Sequence, residues 1–132
     1  MIEKIVFENN LVAIVIRSNF DKDGIHFFTD NNASQQLGYM KRPKGYIIKP
    51  HLHLQYPRSI TQTNEVLFIK SGIVKINFYN ENKRLLGSSI LKPLDVILLI
   101  EGGHGFEIIE SAEIIEVKQG PYAGDQDKVK FD

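Results

Sequence analysis

The chain has 132 residues, with 16 basic and 16 acidic side chains, a formal net charge of zero and no cysteine. The length fits one domain of roughly 100–200 residues, and the balanced charge provides no long-range attraction to nucleic acid or to an anionic membrane. Without cysteine, disulfides, thiolate catalysis and iron–sulfur clusters are excluded. We therefore expect one domain, residues 1–132, in which any metal has nitrogen and oxygen ligands.

The N-terminal region and the apolar runs give an expectation for location. The first residues lack the charged start and the long apolar run of a signal peptide. The longest apolar run, residues 11–16, is far too short to span a bilayer. We predict a cytoplasmic protein with no membrane partner and no nucleic-acid partner.

Short β-type stretches separated by Asn, Gly, Pro and Asp run along the chain, and no 3.6-residue apolar period is sustained. An all-β fold is therefore predicted, with a single helical turn at residues 30–36 and a C-terminal segment that wraps the outside. Ten short strands leave exposed edges in an open sheet, so a closed barrel or a double-sheet jelly roll is favoured. The predicted strands are residues 11–16, 25–28, 38–41, 45–53, 66–70, 74–79, 85–91, 96–100, 104–109 and 113–118.

The histidines are the most informative residues of the sequence. His51 and His53 lie two positions apart in the predicted strand 45–53, and the chain has only four histidines. Residues i and i+2 of a strand project from the same face, so two imidazoles can bind one ion. The spacing therefore predicts a chelating pair.

The spacing around this pair resembles the first motif of the cupin family, G-x5-H-x-H-x3–4-E-x6-G. Gly45, His51 and His53 reproduce its first half, and Glu65 and Gly72 reproduce its second half. The gap between His53 and Glu65 is longer than in the family. We interpret residues 54–64 as an inserted loop at the barrel mouth.

The second cupin motif, G-x5-P-x-G-x2-H-x3-N, fits more loosely. Leu94 stands in place of the glycine of the usual Pro-Gly-Asp, Ile100 replaces the proline and Ile108 replaces the asparagine. The histidine is retained as His104. The resemblance covers the motif core, residues 44–118.

Membership of this family implies a double-stranded β-helix, the jelly-roll barrel, with one divalent metal in its lumen. The implied ligands are His51, His53, Glu65 and His104. Iron, manganese, nickel, cobalt and zinc all suit three imidazoles and one carboxylate. Gln55 or Gln62 is an alternative to Glu65, whereas His26 has no partner pattern. The family also implies a homodimer in which N-terminal strands pack across the two-fold axis.

Three classes of function fit such a site. The first is a metal-dependent enzyme acting on a small polar substrate such as a sugar, of the isomerase, epimerase or lyase type. The second is a non-haem iron dioxygenase, and the third is a sugar- or metal-binding module without turnover. No phosphate-binding Gly-rich loop and no G-x-S-x-G motif occurs.

The C-terminal residues favour the carbohydrate alternative. Residues 116–122 and 127–131 resemble the tail of the cupin domains in bacterial mannose-6-phosphate isomerases, and small cupins resemble proteins of polysaccharide and nucleotide-sugar metabolism. Strand alternation from His104 predicts that Phe106 points into the barrel and Glu107 points out. The full set of predicted pocket residues is Tyr46, Lys49, Gln55, Tyr56, Arg58, Gln62 and Phe106.

Overall fold

The computed structural model describes all 132 residues and contains eight β-strands and one short 3₁₀ helix, Gly124–Gln126. No helix is long and apolar enough to cross a membrane. The chain forms two compact units, residues 1–20 with 63–132 and residues 21–62. The strands are β1 (Ile2–Phe7), β2 (Asn10–Ile16), β3 (Gly24–Phe27), β4 (Gly38–Lys41), β5 (Glu65–Tyr79), β6 (Leu85–Leu91), β7 (Val96–Leu99) and β8 (Gly103–Lys118).

The first unit is built on one six-stranded antiparallel sheet in the order β1-β2-β7-β5-β6, with β8 paired to β5. The long strand β5 organises this sheet. Its first half pairs with β7 and with the end of β8, and its second half pairs with β6 and with the start of β8. One edge of β5 therefore pairs with β8 in both halves of the strand, and the other edge is shared between β7 and β6.

The β5–β8 pair curls strongly. Glu65 pairs with Lys118 and Phe78 pairs with His104, thirteen positions further along β5. A straight strand of that length spans about 43 Å, yet the side chains of Glu65 and His104 are 3.8 Å apart. The sheet thus curls into a half-barrel, which brings these two side chains close together.

Gly72 lies at the bend of β5. The register shifts between Ile69 and Val74, which marks β-bulges at this place. Gly72 has φ 82°, and a Cβ there would lie 2.2 Å from the carbonyl oxygen of Ser111. Only glycine allows both the left-handed backbone and this close approach of β8. The glycine that ends the first sequence motif therefore permits the curl.

The core of the first unit is a cluster of buried apolar side chains, and the buried polar residues of this unit are Asn64 and Asp95. Strand β2 is buried along Val12–Ile16 and is flanked by β1 and β7 in the sheet. Phe7 packs against Phe78 with ring centroids 5.8 Å apart. The buried cluster comprises Val12, Ala13, Val15, Leu67, Ile69, Val74, Ile76, Phe78, Leu91, Ile97 and Leu99.

The second unit, residues 21–62, contains a small antiparallel pair, β3 with β4. Lys41 forms an ion pair with Asp21 at 2.6 Å, and Leu37 is buried. The remainder of the unit consists of turns and irregular backbone. Residues 30–36, predicted as a helical turn, form a turn closed by a hydrogen bond from the Ala33 N–H to the Asp30 carbonyl.

The predicted strand 45–53 is wrong, because residues 42–64 form no strand. Pro43, Pro50 and Pro57 recur through the segment, and proline has no N–H to donate to a strand ladder. Gly45 has φ 89°, outside the β region. His51 and His53 are consequently not presented by a strand.

The all-β prediction is confirmed, and most predicted strands agree with the structure to within one or two residues. The segments 66–70 and 74–79 belong to one continuous strand, as do 104–109 and 113–118. Strand β1 was not predicted. The closed double-sheet jelly roll stays a prediction, since the observed sheet is a half-barrel.

Candidate functional site

The site of the first unit is centred on Glu65 and His104. Glu65 is the first residue of β5 and His104 is the second residue of β8, and the curl of these strands brings the two side chains together. His104 Nε2 and Glu65 Oε2 are 3.8 Å apart. Both side chains are largely shielded from solvent, with exposed fractions of 26% and 15%.

The charge state of His104 follows from its surroundings. Burial lowers the pKa of the His104 imidazole below its usual value of 6.5, while the carboxylates of Glu65 and Glu116 oppose this shift. Lys118 and Lys128 act in the same direction as burial. At neutral pH the ring is therefore uncharged, and one of its nitrogens can accept a proton.

A pocket of about 750 Å³ surrounds the pair. Its wall combines carboxylates, ammonium groups and aromatic rings. Lys118 donates to Glu116 at 3.1 Å, and this hydrogen bond raises the pKa of Lys118. The lining includes Glu65, Tyr79, His104, Phe106, Glu116 and Lys118, together with residues 127–132.

The C-terminal segment forms one side of this pocket. The Thr63 hydroxyl donates to the Asp127 carboxylate, and the ring of Phe131 meets that of Tyr79 edge-on with centroids 5.0 Å apart. Gly103 leaves room for Phe131, because a Cβ at Gly103 would come within 3.3 Å of its ring. Residues 127–132 of the tail therefore contribute to the pocket, and the course of residues 119–125 around the outside of a barrel stays a prediction.

Phe106 and Glu107 lie on opposite sides of β8. The Phe106 ring contacts His104 edge-on with centroids 5.6 Å apart and lines the pocket. Glu107 instead accepts a hydrogen bond from Asn77 at 3.0 Å and pairs with Lys75 at 3.7 Å. Of these two residues, Phe106 is the one that bounds the pocket.

The other predicted ligands lie in the second unit. His51 and His53 are exposed, and their rings meet edge-on with centroids 5.3 Å apart. His51 Nδ1 donates to the Lys49 carbonyl at 2.9 Å. His26, which has no predicted role, contacts the Asp23 carbonyl through Nε2 at 2.7 Å.

The four predicted ligands thus form two pairs. The structure has no group of three or more His, Cys, Asp or Glu side chains that could hold a metal ion. Resident zinc sites use three or four protein ligands, and neither pair reaches that number. Metal binding and the implied set of four ligands stay predictions from the sequence.

The remaining predicted pocket residues also belong to the second unit. Tyr56 and Arg58 line a separate cavity of about 730 Å³ within that unit, together with Phe27 and residues 31–34. The Arg42 guanidinium lies 4.4 Å above the Tyr46 ring. Lys49, Gln55 and Gln62 are exposed.

Several residues of the pocket were missed at the level of sequence. Glu116 and Lys118 lie at even-numbered positions of β8, as His104 and Phe106 do, so strand alternation contained a usable signal. The bulges near residues 110–113 make such counting unsafe across the whole strand. Phe131 lies beyond the last strand, where no periodicity indicates its position.

No protein-family model matches the chain. No curated protein and no solved structure matches it either. The likeness to the cupins consequently depends on the spacing of the glycine, histidine and glutamate residues quoted above.

Proposed function

We propose that the pocket around Glu65 and His104 binds a small polyhydroxylated molecule, a sugar or sugar derivative, and that His104 transfers a proton on it. The observation that carries the proposal is the shielded His104 imidazole 3.8 Å from the Glu65 carboxylate within a cavity of about 750 Å³. Reactions of this class include the isomerisation and epimerisation steps of polysaccharide and nucleotide-sugar metabolism.

The pocket wall supports a sugar as the ligand. Carboxylates accept and ammonium groups donate hydrogen bonds, so Glu116 and Lys118 together can satisfy hydroxyl groups that do both. Tyr79, Phe106 and Phe131 supply apolar rings beside these polar groups. A small number of polar groups among aromatic walls is the usual composition of a small-molecule site. Acidic and basic groups are mixed, which favours a neutral polyol over a strongly anionic ligand.

Proton transfer would proceed between His104 and a carbon atom next to the substrate carbonyl. Nε2 of the neutral imidazole takes the proton, and the Glu65 carboxylate stabilises the imidazolium that forms. Return of the proton to the neighbouring carbon, together with transfer of the hydroxyl proton to the former carbonyl oxygen, completes an aldose–ketose isomerisation. Delivery of a proton to the original carbon from the other face completes an epimerisation. No electrons are gained or lost, so neither reaction needs an oxidant.

The test is deuterium exchange into a panel of aldoses, ketoses and their phosphates, followed by proton NMR in D₂O. We expect loss of a carbon-bound proton signal with the wild-type protein. His104→Asn should abolish this exchange, because an amide has no basic nitrogen, and Glu65→Gln should slow it about tenfold or more. Glu107→Gln, on the other side of β8, is the matched control.

Two outcomes would contradict the proposal. Exchange at the wild-type rate in His104→Asn would remove His104 as the base. A sugar that raises Tm without any exchange would indicate the third class of function, a binding module without turnover.

A further inference from the structure

The outer edge of β8 is open. This strand has 16 residues and pairs only with β5. Ile108, Ile109 and Ile115 on it are 55%, 53% and 52% exposed. Long apolar edge strands are usually covered, because their free N–H and C=O groups pair readily with another chain. The edge therefore indicates a partner that supplies a strand.

The charges of β8 argue against pairing with itself. Residues 107–116 read Glu-Ile-Ile-Glu-Ser-Ala-Glu-Ile-Ile-Glu, a sequence that is nearly the same in both directions. Antiparallel pairing of two copies about its centre would place Glu107 opposite Glu116 and Glu110 opposite Glu113. Like charges directly opposite each other destabilise a strand pair. A basic, apolar segment is the better complement.

The second unit contains such a segment. Residues 42–62 include no acidic side chain, and their basic residues are Arg42, Lys44, Lys49 and Arg58. Ile47 and Leu52 are 79% and 89% exposed, and this part of the chain has no strand partner. Both elements therefore expose apolar side chains. Lysines already pair with Glu107, Glu113 and Glu116, so Glu110 is the glutamate that the basic segment complements.

We propose that residues 45–53 of a second copy of this chain add to the outer edge of β8, and that the exchange is reciprocal. The main-chain groups of β8 then gain hydrogen bonds, as in other strand-addition complexes. Lys49 lies beside Glu110. A two-fold axis closes the assembly as a dimer in which each copy donates and accepts one segment. Pro50 is tolerated, because the added segment becomes the new edge of the sheet.

The absence of native cysteine allows a direct test by disulfide cross-linking. Ile48→Cys protein is mixed with Ile109→Cys protein under mild oxidation and analysed on a non-reducing gel. We expect a covalent dimer of two 15.1-kDa chains. Asn82→Cys mixed with Ile109→Cys is the matched control, because Asn82 lies in the exposed β5–β6 turn, and it should remain uncross-linked.

A charge reversal provides the second test. Glu110→Lys should weaken dimerisation about tenfold in sedimentation velocity, and Lys49→Glu in the same chain should restore it. Glu81→Lys, which makes the same change in the β5–β6 turn, should leave the dimer intact. An unchanged circular dichroism spectrum would show that each variant folds.

Two results would overturn the proposal. One is a wild-type chain that stays monomeric at every concentration while the cysteine mixture remains uncross-linked. The other is a double variant, Ile48→Cys with Ile109→Cys, that closes its disulfide within one chain while the mixture of single variants gives no dimer.

Discussion

The turn before β7 depends on the conformation of a single leucine. Leu94 has φ 71°, in the left-handed region that β-carbon-bearing residues avoid. The carboxylate of the following Asp95 is buried and accepts from the backbone N–H groups of Ser18 and Lys92, each at 2.8 Å. These bonds hold the turn, so Leu94 keeps a left-handed backbone.

Replacing this leucine by glycine should stabilise the protein. Leu94 is 58% exposed, so little packing is lost, and the left-handed conformation costs a non-glycine residue about 1–2 kcal/mol. Part of this gain is offset because glycine has more freedom in the unfolded chain. We expect Leu94→Gly to raise the free energy of unfolding by about 0.5–1 kcal/mol in urea titrations.

Two control variants separate strain from loss of the side chain. Leu94→Ala keeps a Cβ and should give no stabilisation. Leu85→Gly removes a leucine of similar exposure, 57%, from the first position of strand β6 and should destabilise. A Leu94→Gly protein less stable than wild type would refute strain at this turn.

Among the elements, Arg17 joins three parts of the first sheet just beyond the end of β2. Its guanidinium donates to Glu3 on β1 at 2.9 Å and to Asp95 at 2.9 Å. It also donates to the Ile90 carbonyl at 2.6 Å and the Ser89 hydroxyl at 3.2 Å, both on β6. One side chain thus ties β1 to β6, which are opposite ends of the strand order.

The interaction between Arg17 and Glu3 should make the stability of the protein depend on pH. The hydrogen bond from Arg17 lowers the pKa of Glu3 below its usual 4.5, although burial and the Asp95 charge oppose the shift and the N-terminal amine reinforces it. At pH values between the lowered pKa of Glu3 in the folded protein and its usual 4.5, the unfolded chain binds more protons than the folded chain. The stability contributed by Glu3 is therefore complete above 4.5 and is lost as pH falls through the folded pKa.

Urea unfolding at several values from about pH 6 to about pH 3 measures this loss. Near the highest pH of this range, Glu3→Gln should have a lower free energy of unfolding than wild type. Its free energy of unfolding should also fall less steeply as the pH decreases. Glu81→Gln, a carboxylate in the β5–β6 turn, should retain the wild-type slope. If the free energy of unfolding falls equally with pH in wild type and Glu3→Gln, Glu3 is not the source of the pH dependence.

For the whole molecule, the sequence predicted the positions of most strands. It predicted less well which segments form one continuous strand and which segments pair. The pattern of short β-type stretches bounded by turn residues located β2, β4 and β6 to within a residue. It divided β5 and β8 at Gly72 and near Ser111, where bulges interrupt the period but not the strand. Residues 45–53 have strand-like composition, yet strand formation also requires a partner, which a single sequence does not reveal.

The candidate site was predicted in part. Glu65 and His104 were selected from motif spacing, and the curl of the half-barrel brings them to 3.8 Å. His51 and His53 were assigned to the same site on the assumption of a strand that is absent. The side of the pocket formed by residues 127–132 follows from tertiary packing of Phe131 on Tyr79, for which local sequence contains no signal.

Metal titration distinguishes two separate pairs from one four-ligand centre. Because no group of three ligands is assembled, each pair should bind a divalent ion weakly and independently. In calorimetric titrations with Zn²⁺ and Ni²⁺, His104→Ala should remove only the contribution of its own pair, and His51→Ala with His53→Ala only that of the other. The effects on binding free energy should add, as they do for sites without shared partners. If either variant alone abolishes all metal binding, the four residues act as one centre, as the sequence motif implies. Residues 45–53 of the metal-bound protein would then have a conformation different from the one described above.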